Sequence, residues 1–189
     1  MVSQMQFKKS TSLIRQIYYY ALDNIPRVPW KCIMFHNAAR PKALFIMWLH
    51  LLGKLLTADR LNKWGIEVEP KCSLCQSYDE TREHLFVQCS YTRAVWNRVL
   101  QWLQMQSYQP ATWEQHQLWI IKHASGKSQR AQVFKLLSTE IVHAIWIERN
   151  MTIFKKLSRN WEAVTKEIVY VSCVRAPPSL HHILQSLVF

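Results

Sequence analysis

The stretch that decides the reading is Lys71 to Trp96, KCSLCQSYDETREHLFVQCSYTRAVW, in which Cys72, Cys75, His84 and Cys89 fall within eighteen residues. The pattern Cys-x2-Cys-x8-His-x4-Cys offers three thiolates and one imidazole, enough to close a tetrahedron of Zn–S bonds near 2.3 Å and a Zn–N bond near 2.0 Å. Four protein ligands leave no open position, so one Zn²⁺ held this way is a structural staple and not an activator of water. Two other readings compete: unrelated buried thiols beside a surface histidine, and a thioredoxin-like redox pair at Cys72 and Cys75. The redox reading needs a βαβ context, which the flanking sequence lacks. On a regular α-helix His84 and Cys89 would lie about 140° apart. The helix is therefore expected to break between them, with Leu85 and Phe86 packing inward and Ser73 and Leu74 turning amides toward sulfur.

Outward from the cluster the chain reads as helices. Leu13, Ile14, Ile17, Tyr18, Ala21 and Leu22 make a first apolar stripe, and Pro26 and Pro29 end it. A short turn of helix follows at 30–36. Pro41 opens a helix whose residues 43–52 are apolar nearly all round, expected to be the buried centre, with Gly53 at its end. Thr57 is placed as N-cap of a small helix carrying Leu61 and Trp64, and Ile66 to Glu69 as a brief strand. Ser90 caps a helix with Val95, Trp96, Val99, Leu100 and Leu103 inward. Thr112 with Gln115 makes a capping box. The longest helix is expected from Ser128 to Lys156, and Asn160 caps the last, after which Pro177-Pro178 leads into a loose tail. The expectation is a mainly α-helical fold with a small Cys-Cys-His-Cys zinc knuckle inserted between helices. Its divisions are a helical lead-in (1–28), the zinc-binding domain (29–103), C-terminal helices packing on it (104–175) and a tail (176–189).

With 24 Lys and Arg against 12 Asp and Glu, the formal net charge is +12 over 189 residues, which points to a polyanionic partner. RNA or DNA leads. No basic amphipathic segment suits a membrane surface, and the run from Ala43 to Leu52 is about half the ~20 residues a bilayer span needs. The first ten residues lack the apolar region of a secretory signal. The expected location is therefore nucleus or cytosol, not secreted, with the five cysteines reduced. Lys71, Arg82, Arg93 and Arg98, nearest the cluster in sequence, are the candidate nucleic-acid contacts, with Tyr78 and Tyr91 as candidate stacking platforms. Trp48, Trp96, Trp119 and Trp146 sit in helical stripes and read as core.

Catalysis finds no support. Gly126-Lys127-Ser128 imitates the end of a P-loop, but Ile121 stands where its first glycine belongs. Cys32 with His36 lacks an orienting acid, Cys173 reads as a buried thiol, and His181-His182 as a disordered polar pair.

Pro41-Lys42, Phe45, Trp48, Leu55, Thr57, Leu61, Gly65, Cys72, Cys75, Glu80, His84-Leu85-Phe86, Cys89 and Trp96 together resemble the zinc-binding domain that follows the polymerase in plant LINE-type (non-LTR) retrotransposons. The resemblance spans roughly residues 29 to 103, with weaker echoes at Phe7, Ser10 and Tyr18 and at Trp146, Arg149-Asn150 and Ile153-Phe154. Relatives often carry Leu-Pro-Thr where this chain has Leu55-Leu56-Thr57. The resemblance implies a reverse-transcriptase accessory module that grips template RNA or target DNA, beside a polymerase or another protein. The chain has no Asp-Asp pair of the polymerase type and no spaced acids for two Mg²⁺, so it is expected not to be an enzyme. The alternatives are a protein-interaction module and a retroelement remnant without selected function.

Overall fold

The computed structural model describes residues 28–186, which are mostly helical and contain no strand. The first apolar stripe, at 13–22, lies outside the described residues. Helices α1 (Lys31–Met34), α2 (Pro41–Leu51) and α3 (Ala58–Lys63) precede the cysteine loop. A π-helical turn (His84–Gln88) follows it, and then α4 (Ser90–Trp102), α5 (Trp113–Ala124), α6 (Gln129–Lys155), α7 (Trp161–Arg175) and α8 (Pro178–Ser186).

The 27-residue α6 is the axis on which α2, α5 and α7 pack. It is buried around nearly its whole circumference from Ala131 to Trp146. This is a correction: the centre was expected at residues 43–52, but α2 buries only Ala43, Met47, His50 and Leu51 and exposes Phe45 (57%) and Trp48 (40%). Apolar composition cannot distinguish a helix surrounded on all sides from one lying on a neighbour. Trp96 and Trp146 are core as expected, and Trp119 is partly buried against it.

Several helix signals hold. The Ser128, Asn160 and Thr112 side chains accept the N–H groups of Ala131, Ala163 and Gln115. Gln115 returns its side chain to the N–H of Ala111 instead of Thr112, one residue off a true capping box. Thr57 holds the N-cap position of α3, but its hydroxyl donates to Asp59 and caps no amide. Cys89, not Ser90, occupies the N-cap position of α4. Ile66 to Glu69 form no strand; the ladder reduces to one bridge between Lys71 and Asp79. The expected tail is also corrected: Pro178 opens α8, which buries Leu180 and Leu184, and His181 bonds the Ala176 carbonyl. Proline at a first helical position gives up an N–H that has no partner there anyway.

Three glutamates are buried in one way. Glu140 (0% exposed) takes the Arg40 guanidinium at 2.7 Å and the Arg40 N–H at 2.8 Å, at the start of α2. Glu148 takes Arg159 at 2.6 Å and that residue's N–H at 3.3 Å. Glu80 takes Arg149 at 2.7 Å and the N–H of Ala58, the first residue of α3, at 2.8 Å. Each buried carboxylate thus has both a counter-charge and a backbone donor, which a low-dielectric site requires.

A buried polar line crosses the core. The Tyr108 hydroxyl lies 2.6 Å from His116 Nδ1, and His116 Nε2 lies 3.1 Å from His50 Nε2. With the tyrosine as donor, each link donates onward and the His50 Nδ1–H is left over, matching the one imidazole nitrogen of the two rings that has no partner. Burial pushes the His116 pKa down to about 3; burial first, then the charges of His116 and Arg82, pushes His50 well below its ordinary value. Both rings are neutral in the fold, so below pH ~6.5 the unfolded chain takes up protons that the folded chain refuses. Stability is expected to be unaffected by this pair above that pH. Below it, each histidine subtracts up to about 1.4 kcal/mol per pH unit, until its folded pKa is reached. Urea unfolding in saturating zinc at about pH 7, 6 and 5 checks the slope, which should be shallower for His116→Gln.

Candidate metal centre

The cysteine loop is a small closed hairpin. Glu80 N–H bonds Pro70 O at 2.6 Å, Cys72 N–H bonds Tyr78 O at 2.8 Å, and Gln76 N–H bonds Cys72 O at 2.9 Å. Gln76 takes φ 58°, the left-handed turn that swings the chain back after Cys75. The result places both thiols of the Cys-x2-Cys pair on the side facing the π turn.

The π turn resolves the problem that the spacing of His84 and Cys89 poses. Instead of breaking, the helix widens: Cys89 N–H bonds His84 O at 2.7 Å, an i→i+5 closure that returns residue 89 to the neighbourhood of residue 84. The Thr81 hydroxyl accepts the His84 N–H at 2.9 Å, and the Thr92 hydroxyl donates to Leu85 O at 2.7 Å, tying the turn to α4. His84, Leu85, Phe86 and Val87 are all buried, so the turn is anchored by the core it fills.

Cys72, Cys75, His84 and Cys89 bring one ligand atom each to within 4.8 Å of all the others. Cys72 and Cys89 Sγ are 3.9 Å apart, and Cys75 Sγ is 3.2 Å from His84 Nε2. A tetrahedron with arms near 2.3 Å has edges of about 3.8 Å, so the donor set and its spacing fit Zn²⁺. Cys72 and Cys89 are buried, His84 is 6% exposed, and no disulfide forms.

The two buried thiols are pushed in opposite directions by the bond between them. The Cys72 thiol is pushed up, first by its hydrogen bond to Cys89 and then by burial, against the pull of the Cys75 and Leu74 amides. Those two amides stand where Ser73 and Leu74 were expected. Cys89 is pushed down, first by the bond from Cys72 and then, against burial, by the amides of Thr92 and Tyr91 at the positive end of α4. Burial holds His84 below its ordinary value, leaving the neutral ring that ligation needs.

The four basic candidates do not form one patch of bare cations. Lys71 is exposed and sits 3.5 Å from Asp79. The Arg82 guanidinium lies 4.3 Å from the Trp113 ring centre, pressed against Gly53, whose φ of 62° and missing Cβ make room for it. Arg93 lies over Tyr108 and reaches Pro110 O at 3.4 Å, while Arg98 bonds Gln101 at 2.9 Å. Tyr78 is 68% exposed with its ring 5.6 Å from that of His84, and the Tyr91 hydroxyl donates to Arg159 O. Cys32 and Cys173 stand apart from the cluster, both partly buried and not the core thiol expected at 173.

One site residue was legible only in part. Glu80 belongs to the resemblance, but its partner Arg149 is sixty-nine positions away, and nothing local marks the pair. Through it the hairpin, α3 and α6 are held at one carboxylate. No helix among the described residues is long and apolar enough to cross a membrane.

No curated protein and no solved structure matches the chain significantly. The family described as zinc-binding in reverse transcriptase matches residues 13–96, from the stretch read as lead-in to the middle of α4. The match is to a zinc-binding accessory region and not to the catalytic one, and the Cys3His cluster falls within the matched residues.

Proposed function

We propose that the chain is a non-catalytic nucleic-acid-binding module, in which one structural Zn²⁺ held by Cys72, Cys75, His84 and Cys89 fixes the hairpin and basic side chains grip RNA or DNA phosphates. The observation that carries this reading is the charge balance. The net charge is +12, and the three buried glutamates are each matched by an arginine, so the cationic excess is left to the remaining groups. Lys71, Arg82, Arg93 and Arg98 are the contacts proposed near the zinc hairpin. A closed four-ligand site has no position for a reactive water, which supports a module without catalysis of its own. It would act beside a polymerase or another protein, in nucleus or cytosol.

Fluorescence anisotropy of the zinc-loaded chain with single-stranded and duplex oligonucleotides tests this. Log affinity is expected to fall linearly with log salt, by about 0.7 to 0.9 per phosphate neutralised. Undetectable binding at low salt, or binding indifferent to salt, overturns it. One feature favours the protein-docking alternative: α2 turns Phe45, Trp48 and Leu52 to solvent. A chain that ignores nucleic acid but self-associates or binds a polymerase would establish that alternative.

A further inference from the structure

A cavity of about 590 Å³ lies away from the cysteine cluster, between the loop after α4, the end of α5 and the start of α6. Its size suits a nucleotide. Its lining is unusual in chemistry: aromatic rings, cations and amide or hydroxyl groups, with no carboxylate. None of the ion pairs among the described residues involves it.

Trp119 lines the cavity and is packed in edge-to-face contacts, its ring centre 5.4 Å from Trp96, 5.2 Å from Tyr108 and 5.3 Å from Phe134, which also lines the cavity. The indole is therefore held in place before any ligand arrives, and stacking on it costs little ordering. His123 lines the same cavity with its ring centre 4.9 Å from Trp119, and its Nδ1 is 2.9 Å from the Trp119 carbonyl. A carbonyl only accepts, so Nδ1 donates to it and Nε2 is the ring nitrogen left for a ligand. Lys122 is exposed at the rim, and Arg130 is held there by its bond to Leu103 O at 2.9 Å. The positive end of α6 opens on the cavity at Ser128.

We infer that this cavity takes one unpaired base of a single strand, stacked on Trp119 with an amino group facing His123, and its phosphate between Lys122 and Arg130. The inference rests on the nucleic-acid reading above and deepens it, because it assigns single strands over duplexes and a contact surface separate from the zinc hairpin. A base within a duplex has both faces covered by its neighbours, so it must leave that stack before it can lie on Trp119.

The test uses the full zinc-loaded chain and a labelled oligonucleotide bearing photoreactive 5-iodocytosine, which carries the amino group. Crosslinks are expected in the peptides carrying Met105–Gln109 or Trp119–Phe134. Lys122→Glu is expected to weaken single-strand binding about tenfold and Arg130→Gln to lower the salt slope by about 0.7, with Lys166→Glu on α7 as the equal-charge control. Crosslinks confined to other surfaces, or Lys122→Glu no weaker than Lys166→Glu, overturn the cavity while leaving the general reading intact. A wild-type chain that binds no oligonucleotide sinks both. Free cytidine monophosphate that competes at the oligonucleotide's own concentration would mark a mononucleotide site and overturn the single-strand assignment. Preference for an acidic peptide over the strand would do the same.

Discussion

Replacing Cys72 and Cys75 together by serine is expected to remove zinc, about one ion per chain, and with it the cooperative fold around the hairpin. The reason is local. The loop from 70 to 80 has three backbone bonds of its own, two of which make the Lys71–Asp79 bridge, and most of its side chains face solvent. What lies beneath it, Cys72, His84, Leu85, Phe86 and Cys89, belongs to the continuous core that reaches α4 and α6. Without a cation, the Cys72 thiol has only Cys89 Sγ to donate to, at 3.9 Å, and Cys75 and His84 have only each other, at 3.2 Å. Structural zinc binding is worth roughly 10 to 16 kcal/mol in small domains, comparable with or larger than the whole stability of a domain this size. Mass spectrometry under native conditions should count the metal. Circular dichroism with a strong chelator should show helicity falling with metal loss, and the double variant should behave as the chelated chain does. A chelated chain that still unfolds cooperatively at the same urea concentration would mean the site is not structural.

The helices were legible where a single residue decides the local geometry. Ser128, Asn160 and Thr112 each satisfy an amide three residues on, and such caps depend on nothing beyond their own turn. The convergence of Cys72, Cys75, His84 and Cys89 was legible for a similar reason: four donors within eighteen residues need little help from distant chain to meet. The π turn was half legible. The five-residue spacing showed that a regular helix fails, but a break and a widening solve it equally well in one dimension, and the burial of Leu85, Phe86 and Val87 decides for the widening.

What failed depended on tertiary choice. Ile66 to Glu69 alternate as a strand should, yet no second strand lies beside them, and a lone strand has no bonds to make. Trp48 shares a stripe with Met47 and Leu51 but points to solvent, because α2 lies across α6 with only one side covered. Even the cavity beside Trp119 had no signature in the sequence. Its lining comes from three separate segments, 105–109, 119–125 and 128–134, whose cations are no denser than elsewhere in this basic chain.

Glu80→Gln is the other substitution with a large expected effect, and it separates electrostatics from packing. Arg149 is 4% exposed and its guanidinium makes three bonds to the Glu80 carboxylate between 2.7 and 3.1 Å. Glutamine keeps the shape and can still accept from the Ala58 amide, but it removes the counter-charge that offsets the lost hydration of a buried guanidinium. Arginine cannot shed its proton to escape. Breaking one side of a buried pair costs about 3 to 5 kcal/mol, because the remaining charge is stranded. The same pair joins the hairpin to α3 through Ala58 and to α6 through Arg149, so the loss should appear at the metal as well. Zinc is expected to exchange faster from Glu80→Gln than from the unaltered chain, although no ligand has changed. The double variant Glu80→Gln, Arg149→Met is expected to recover much of the stability, since a neutral amide facing a thioether strands no charge. Urea unfolding of the two single variants and the double one measures this coupling. A Glu80→Gln chain as stable as the original, or a double variant merely additive, would show that the pair is solvated and that the hairpin is held by the metal alone.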